Sequence, residues 1–139
     1  MENVEPFWVK MTVQSIDGAH ERTVDALVGT GASFAVLPAS VLQNIGIEPT
    51  RRHTFRLPDG RQKLGQVSDA LITIDGMTGP SPVVFGPEDS PARVGYLTLS
   101  ALLLDIVPGE QRLTPVDGRL PGFHPVPPRP VPVDNPKLP

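Results

Sequence analysis

The sequence has no cysteine among its 139 residues. That absence excludes a disulfide framework, a thiolate zinc site, an iron–sulfur cluster and a cysteine nucleophile. Only three histidines are present, at His20, His53 and His124, and their wide spacing matches no metal-binding pattern. We therefore expect a protein that works with no metal and no other cofactor.

Charge of one sign and long apolar runs are also scarce. The chain carries 12 basic and 15 acidic residues, a formal net charge of −3, so no strong field draws it to nucleic acid or to a membrane. No segment approaches the roughly 20 apolar residues that span a bilayer. The acidic start, Met1 to Glu5, lacks the pattern of a signal peptide. We expect a cytoplasmic protein, to which the lack of cysteine is also suited.

Proline, by contrast, is abundant and unevenly spread. Eight of the 18 prolines lie between residues 121 and 139. A segment with so few backbone donors can form neither a helix nor a central strand, and an extended, polyproline-like chain is expected. We predict one domain over residues 1–117 and a tail over residues 118–139. The tail is interpreted as a spacer or as a ligand for a proline-recognising partner.

The rest of the sequence predicts short strands. Residues 7–14 alternate, with Phe7, Val9, Met11 and Val13 on one face. Four Asp-Gly pairs between apolar runs favour hairpins over parallel β-α-β units. The predicted strands are 7–14, 23–28, 53–57, 62–64, 67–74, 82–85 and 112–116. Two short helices are expected, over 38–45 and over 98–104 with Thr98 as its N-cap. The predicted fold class is all-β with one or two short helices.

One segment carries a candidate site. The apolar run ending at Val28 leads directly into small residues, which permit a tight loop and close approach of another backbone. From these residues alone, an ordinary strand-to-turn junction is the favoured interpretation. The segment resembles the active-site loop of retropepsin-like (clan AA) aspartic proteases, whose motif is hydrophobic-Asp-Thr/Ser-Gly-Ala/Ser. Thr30, Gly31 and Ala32 match this motif, Ser33 matches a common extension of it, and Gly29 stands where the family has its catalytic aspartate.

Two later segments extend the resemblance over about residues 7–117. Arg93-Val94-Gly95 is similar to a hydrophobic-hydrophobic-Gly element of the family, from which Arg93 departs. Residues 55–64 resemble the hairpin that closes over substrate, with its tip at Leu57, Pro58, Asp59, Gly60 and Arg61. The resemblance implies a closed β-barrel or sandwich that forms a homodimer, with a peptide-binding cleft at the subunit boundary.

The resemblance also implies a mechanism and roles for single residues. In the family, one aspartate from each chain shares a proton, and the ionised one activates a water while the neutral one binds the peptide carbonyl; aspartic proteases are the standard example of such a pair. By position, the Thr30 hydroxyl would hydrogen-bond across the two-fold axis and Gly31 would let the paired loops approach. Ala32 and Ser33 would line the substrate cleft, and the hairpin tip would exclude water.

Gly29 cannot perform this chemistry because it has no carboxylate. Asp25 is four residues upstream, about 13 Å away along an extended strand. We therefore predict an aspartic-type endopeptidase by family that cleaves no peptide as written. Gly29 is either a deliberate replacement of an aspartate, which the intact remainder of the loop favours, or the mark of a natural pseudoprotease that binds peptides. In a further alternative, the β-domain only dimerises and the tail recruits a partner.

Overall fold

A computed structural model describes residues 5–122 and 125–132. In this part of the chain, nine strands and two short helices follow one another. The strands are β1 (Phe7–Gln14), β2 (Glu21–Val28), β3 (Ala35–Pro38), β4 (Arg51–Arg56), β5 (Gln62–Ile74), β6 (Met77–Gly86), β7 (Ala92–Arg93), β8 (Leu104–Val107) and β9 (Arg112–Pro115), and the helices are α1 (Ala39–Asn44) and α2 (Tyr96–Ala101).

Six of the strands close into a barrel. Their order is β1-β2-β7-β3-β6-β5, and β5 pairs with β1 to complete the ring. Strand β4 pairs with the first half of β5 and extends from the barrel as a hairpin, while β8 and β9 form a separate two-stranded sheet. The predicted all-β fold with two short helices is confirmed.

The barrel interior is filled by the side chains at alternate positions of the strands, which point inward. In β1, Met11 and Val13 are fully buried while Lys10 is exposed, as the period-two pattern predicted. Leu37 of β3 and Ile72 of β5 are likewise fully buried. Each such aliphatic side chain contributes about 1.5–3 kcal/mol of burial free energy, and this core holds the loops described below in place.

Three of the four Asp-Gly pairs form the predicted turns. Asp75 and Gly76 join β5 to β6 with φ angles of 51° and 77°, the double positive φ of a two-residue type I′ hairpin. Gly18 and Gly60 also have positive φ, in the β1–β2 and β4–β5 turns. The fourth pair, at residues 117–118, follows the last strand and joins no hairpin, so that prediction was wrong.

Several predicted boundaries are corrected by packing between distant segments. The two strands expected at 62–64 and 67–74 are one continuous strand, because the Phe55 ring packs where a Gly65 side chain would be and the glycine is kept in the ladder. Helix α2 begins at Tyr96, after Gly95 as N-cap. Thr98 is therefore no cap: it is fully buried, and its hydroxyl is 2.8 Å from that of Ser81.

The predicted tail is described over residues 118–122 and 125–132, which are exposed and carry no helix or strand. Residues 123–124 and 133–139 of the predicted tail lie outside the described residues. The domain boundary near residue 117 stays a prediction. In the described part of the chain, no helix has both the length and the apolar character needed to cross a membrane.

Candidate functional site

The strand order places the candidate loop at the end of an inserted strand. Strand β7 lies between β2 and β3, parallel to the first, with Leu27 beside Arg93, and antiparallel to the second, with Val36 beside Arg93. The loop of residues 29–34 joins β2 to β3, so it must cross over the end of β7. The short strands β3 and β7 were not predicted from the sequence, and they create this crossing.

Backbone hydrogen bonds fix the loop against the chain that leaves β7. The Val94 N–H donates to the Leu27 carbonyl at 2.8 Å. Further along, the Tyr96 N–H donates to Ala32 at 3.0 Å and the Leu97 N–H donates to Ser33 at 2.9 Å. The two segments that sequence comparison singled out therefore lie directly against each other.

Gly95 is required by this close approach. A Cβ atom at this position would lie 2.1 Å from the carbonyl carbon of Phe34 and 2.5 Å from the Ala35 nitrogen. Both are backbone atoms, which no rotamer change can move. Gly95 itself has φ −85° and ψ 158°, a conformation open to any residue, so space alone demands glycine here.

The two glycines of the loop, unlike Gly95, are favoured by their backbone conformation. Gly29 has φ 89° and Gly31 has φ 82°, both in the left-handed region that favours glycine. At Gly31 an added Cβ would meet nothing within 4 Å, so its requirement in the single chain is conformational. An aspartate at position 29 would cost about 1 kcal/mol in this conformation, although Asp tolerates it better than most residues.

Thr30, between these glycines, has an unusual side chain. Its Oγ1 is buried and has no hydrogen-bond partner, the only such side-chain atom found in residues 5–122 and 125–132. A hydroxyl removed from water without a partner costs roughly 1–3 kcal/mol. Its neighbours along the loop differ, since Ala32 is half-buried and Ser33 is exposed.

The predicted hairpin tip is present and compact. The Leu57 N–H donates to the Arg61 carbonyl at 2.7 Å, and the Gly60 N–H donates to the Leu57 carbonyl at 2.8 Å. The Asp59 carboxylate accepts from the Arg61 backbone at 3.0 Å and from its Nε at 2.6 Å. Pro58, between Leu57 and Asp59, is exposed. The tip is thus an ordered turn that carries one exposed ion pair.

An aromatic cluster connects the hairpin to the candidate loop. The Phe34 ring centroid lies 5.2 Å from that of Phe55 and 5.5 Å from that of His53, and the last two are 5.1 Å apart. The edge-to-face arrangement of the two phenylalanines is a favoured one. The sequence analysis missed this cluster, because residues 34 and 55 are 21 apart in sequence and meet only in the folded chain.

A row of half-buried side chains lies on the face of the sheet turned away from the core, and its last member, Val84, lies with the Phe55 ring around Gly65. Leu27, Arg93, Val36 and Val84 are aligned across β2, β7, β3 and β6 by direct pairing. Their chain neighbours, such as Ala26, Val28 and Leu37, point into the core and are fully buried. We call this row, with the aromatic cluster at its side, the candidate groove.

Charged side chains on neighbouring strands form ion pairs within the chain. Arg51 of β4 donates two hydrogen bonds, of 3.0 and 3.1 Å, to the Asp69 carboxylate. Those bonds raise the pKa of the Arg51 guanidinium. Asp25 pairs with Lys10 across the β1–β2 ladder at 2.6 Å. In the described residues, no three His, Asp or Glu side chains form a group that could hold a metal ion.

Comparisons with known proteins were made for the whole chain. No family model matches it, and a search of curated proteins found no match. Among solved structures, the fold is similar to the solution structure of simian foamy virus (mac) protease, at 14% sequence identity and a TM-score of 0.49. The similarity covers 73% of this chain and 100% of that one.

Proposed function

We propose that this chain is an aspartic-type endopeptidase by family: a retropepsin-like domain that forms a homodimer, holds extended peptides in the candidate groove and, with Gly29 in its loop, does not hydrolyse them. The observation that carries the proposal is the buried, unpartnered hydroxyl of Thr30 in a loop that two matched sequence segments hold in place. A buried hydroxyl without a partner is rare in folded proteins, and its position calls for an acceptor or donor from outside this chain.

A second copy of the chain is the partner that best meets this need. Two Thr30 loops related by a two-fold axis would place each hydroxyl where the other chain's loop can bond it. Tyr96 and Leu97, hydrogen-bonded to the loop through their backbone, are 69% and 44% exposed. Apolar side chains of this size next to an unsatisfied hydroxyl are suited to burial in a subunit interface.

The chemistry of such a dimer depends on position 29. With an aspartate in each chain, two carboxylates at the axis would share a proton, activate one water and polarise a peptide carbonyl. A glycine supplies no atom that can take or give a proton. The residues that remain, the groove row and the ordered hairpin tip, can bind and enclose an extended peptide but cannot cleave it.

A second candidate function, that of a natural peptide-binding module, is supported by the φ angle of Gly29. At 89°, the backbone takes a conformation that glycine adopts without strain and aspartate does not. A loop adapted to glycine is expected of a domain that has long worked without the carboxylate. A recent replacement of an aspartate predicts instead that the loop accepts the acid at little cost.

The test compares Gly29→Asp with Gly29→Asn. Both side chains have the same shape and meet the same backbone strain, so they differ only in the carboxylate. We expect Gly29→Asp to cleave members of a peptide library, fastest in mildly acidic solution and blocked by a statine-type inhibitor, and Gly29→Asn to cleave none. A folded, dimeric Gly29→Asp protein that cleaves nothing refutes the enzyme assignment. Calorimetry of the unmodified protein with the same peptides then tests the binding module, and no binding refutes that as well.

A further inference from the structure

Arg93 is the one charged residue in the candidate groove row. Its strand neighbours Ala92 and Val94 point into the core, at 5% and 3% exposure, so the Arg93 side chain projects to the opposite face. There it lies directly beside Leu27 on one strand and Val36 on the other. Arg93 as a residue is half-buried, and moving its charge out of water between two aliphatic side chains is costly unless an anion offsets it.

This chain supplies no such anion among its described residues. The Arg93 Nη1 donates to the neutral Ser90 hydroxyl at 2.7 Å, and the ion pairs formed by residues 5–122 and 125–132 do not include Arg93. Glu88, in the same loop as Ser90, is engaged elsewhere, since its carboxylate accepts from the backbone and hydroxyl of Ser40. The remaining guanidinium donors are therefore available to a ligand.

We infer that Arg93 binds an acidic side chain of the peptide held in the groove and so gives the domain a preference for Asp or Glu at one ligand position. The inference rests on the proposed peptide-binding function and adds a ligand class to it. A guanidinium suits this role because its planar donors match a carboxylate in a two-bond arrangement. Leu27 and Val36, on either side of Arg93, would contact the aliphatic part of the bound Asp or Glu side chain.

The experiment uses the unmodified protein and fluorescein-labelled decapeptide mixtures. In each mixture one position is fixed as Glu, Gln, Leu or Lys and the other positions are randomised without cysteine. Fluorescence anisotropy gives the affinity of each mixture. We expect the Glu mixture at one position to bind about tenfold more tightly than its Gln counterpart, as a charge-assisted bond predicts.

Three variants decide the assignment. Arg93→Gln should lose the preference for Glu, and Arg93→Glu should prefer Lys at the same position, a gain that misfolding cannot produce. Arg22→Gln is the matched control, because Arg22 is exposed at the far end of β2, and it should keep the preference. Binding with no acidic preference, or a preference that survives Arg93→Gln, overturns the role of Arg93 and leaves peptide binding intact. Failure of every mixture to bind overturns both proposals.

Discussion

Replacing Gly95 with alanine tests the packing on which the candidate site depends. The added methyl would lie 2.1 Å from the carbonyl carbon and 2.4 Å from the Cα of Phe34, distances that real Cβ atoms do not reach. Because the obstructing atoms are backbone, the loop of residues 29–34 must move, and its hydrogen bonds from Tyr96 and Leu97 must stretch or break. Overpacking of a tight site costs typically 1–3 kcal/mol, and more where the backbone must shift.

The alanine also has a smaller, stabilising effect through the unfolded chain. Alanine restricts the unfolded chain and would stabilise the protein by about 0.4–1 kcal/mol if it fitted, since φ at Gly95 is already −85°. Because the backbone must shift, we take the overpacking cost as about 3–4 kcal/mol, at or above the upper end of the typical range. The expected net loss is then about 2–3 kcal/mol, which for a domain of this size lowers Tm by roughly 8–15 °C. The matched control is Gly118→Ala, where the methyl meets nothing within 4 Å and Tm should hardly change.

Calorimetry at fixed protein concentration measures both variants, because dimerisation would make Tm depend on concentration. A double variant, Gly95→Ala with Phe34→Ala, should show no rescue, since truncating the Phe34 side chain leaves the blocking backbone in place. A Gly95→Ala protein that melts within 2 °C of the unmodified chain, or a rescue by Phe34→Ala, would refute the close approach of these two segments.

Further substitutions test the Thr30 hydroxyl and the Glu88 carboxylate. Thr30→Val removes the unpartnered hydroxyl and keeps the shape of the side chain, so the isolated chain should gain about 1 kcal/mol or more in stability while the dimer weakens. Thr30→Ser keeps a hydroxyl and should preserve the dimer, as measured by sedimentation velocity. A dimer unaffected by Thr30→Val contradicts the proposed contact. The hydrogen bonds from Ser40 lower the pKa of Glu88 below its ordinary value of 4.5, so its stabilising contribution is complete above that pH and is lost as the pH falls through the lowered pKa. Glu88→Gln should therefore reduce the loss of stability on acidification, measured by urea unfolding between pH 3 and pH 7, and an unchanged acid limb would show that the Ser40 contact contributes nothing.

Local patterns in the sequence predicted those parts of the fold that local forces determine. Strand β1 was predicted at its true bounds because its alternation is set by burial of one face, and the turn at Asp75 and Gly76 was predicted because its φ angles need such residues. The strands β3 and β7 were missed, since four and two residues carry no readable period. They exist because the barrel provides neighbours on both sides, which only the closed fold supplies.

The candidate site shows the same division. Matching of short motifs predicted the loop of residues 29–33 and the hairpin tip, and it drew attention to Gly95. It could not predict that Phe34, His53 and Phe55 meet, because those contacts join residues about 20 apart in sequence through the fold of β4. It interpreted Arg93 as a departure from a pattern, whereas the register places that residue in the middle of the groove row.

The contacts that hold the loop of residues 29–34 in place do not depend on the side chain at position 29. The hydrogen bonds that hold the loop come from the backbone of Val94, Tyr96 and Leu97, and the close contact at Gly95 is made with the backbone of Phe34. None of these contacts uses a side chain at position 29. Because backbone packing and the barrel core fix the shape of the loop, a substitution at position 29 changes the chemical groups that the loop presents more than it changes the position of the loop.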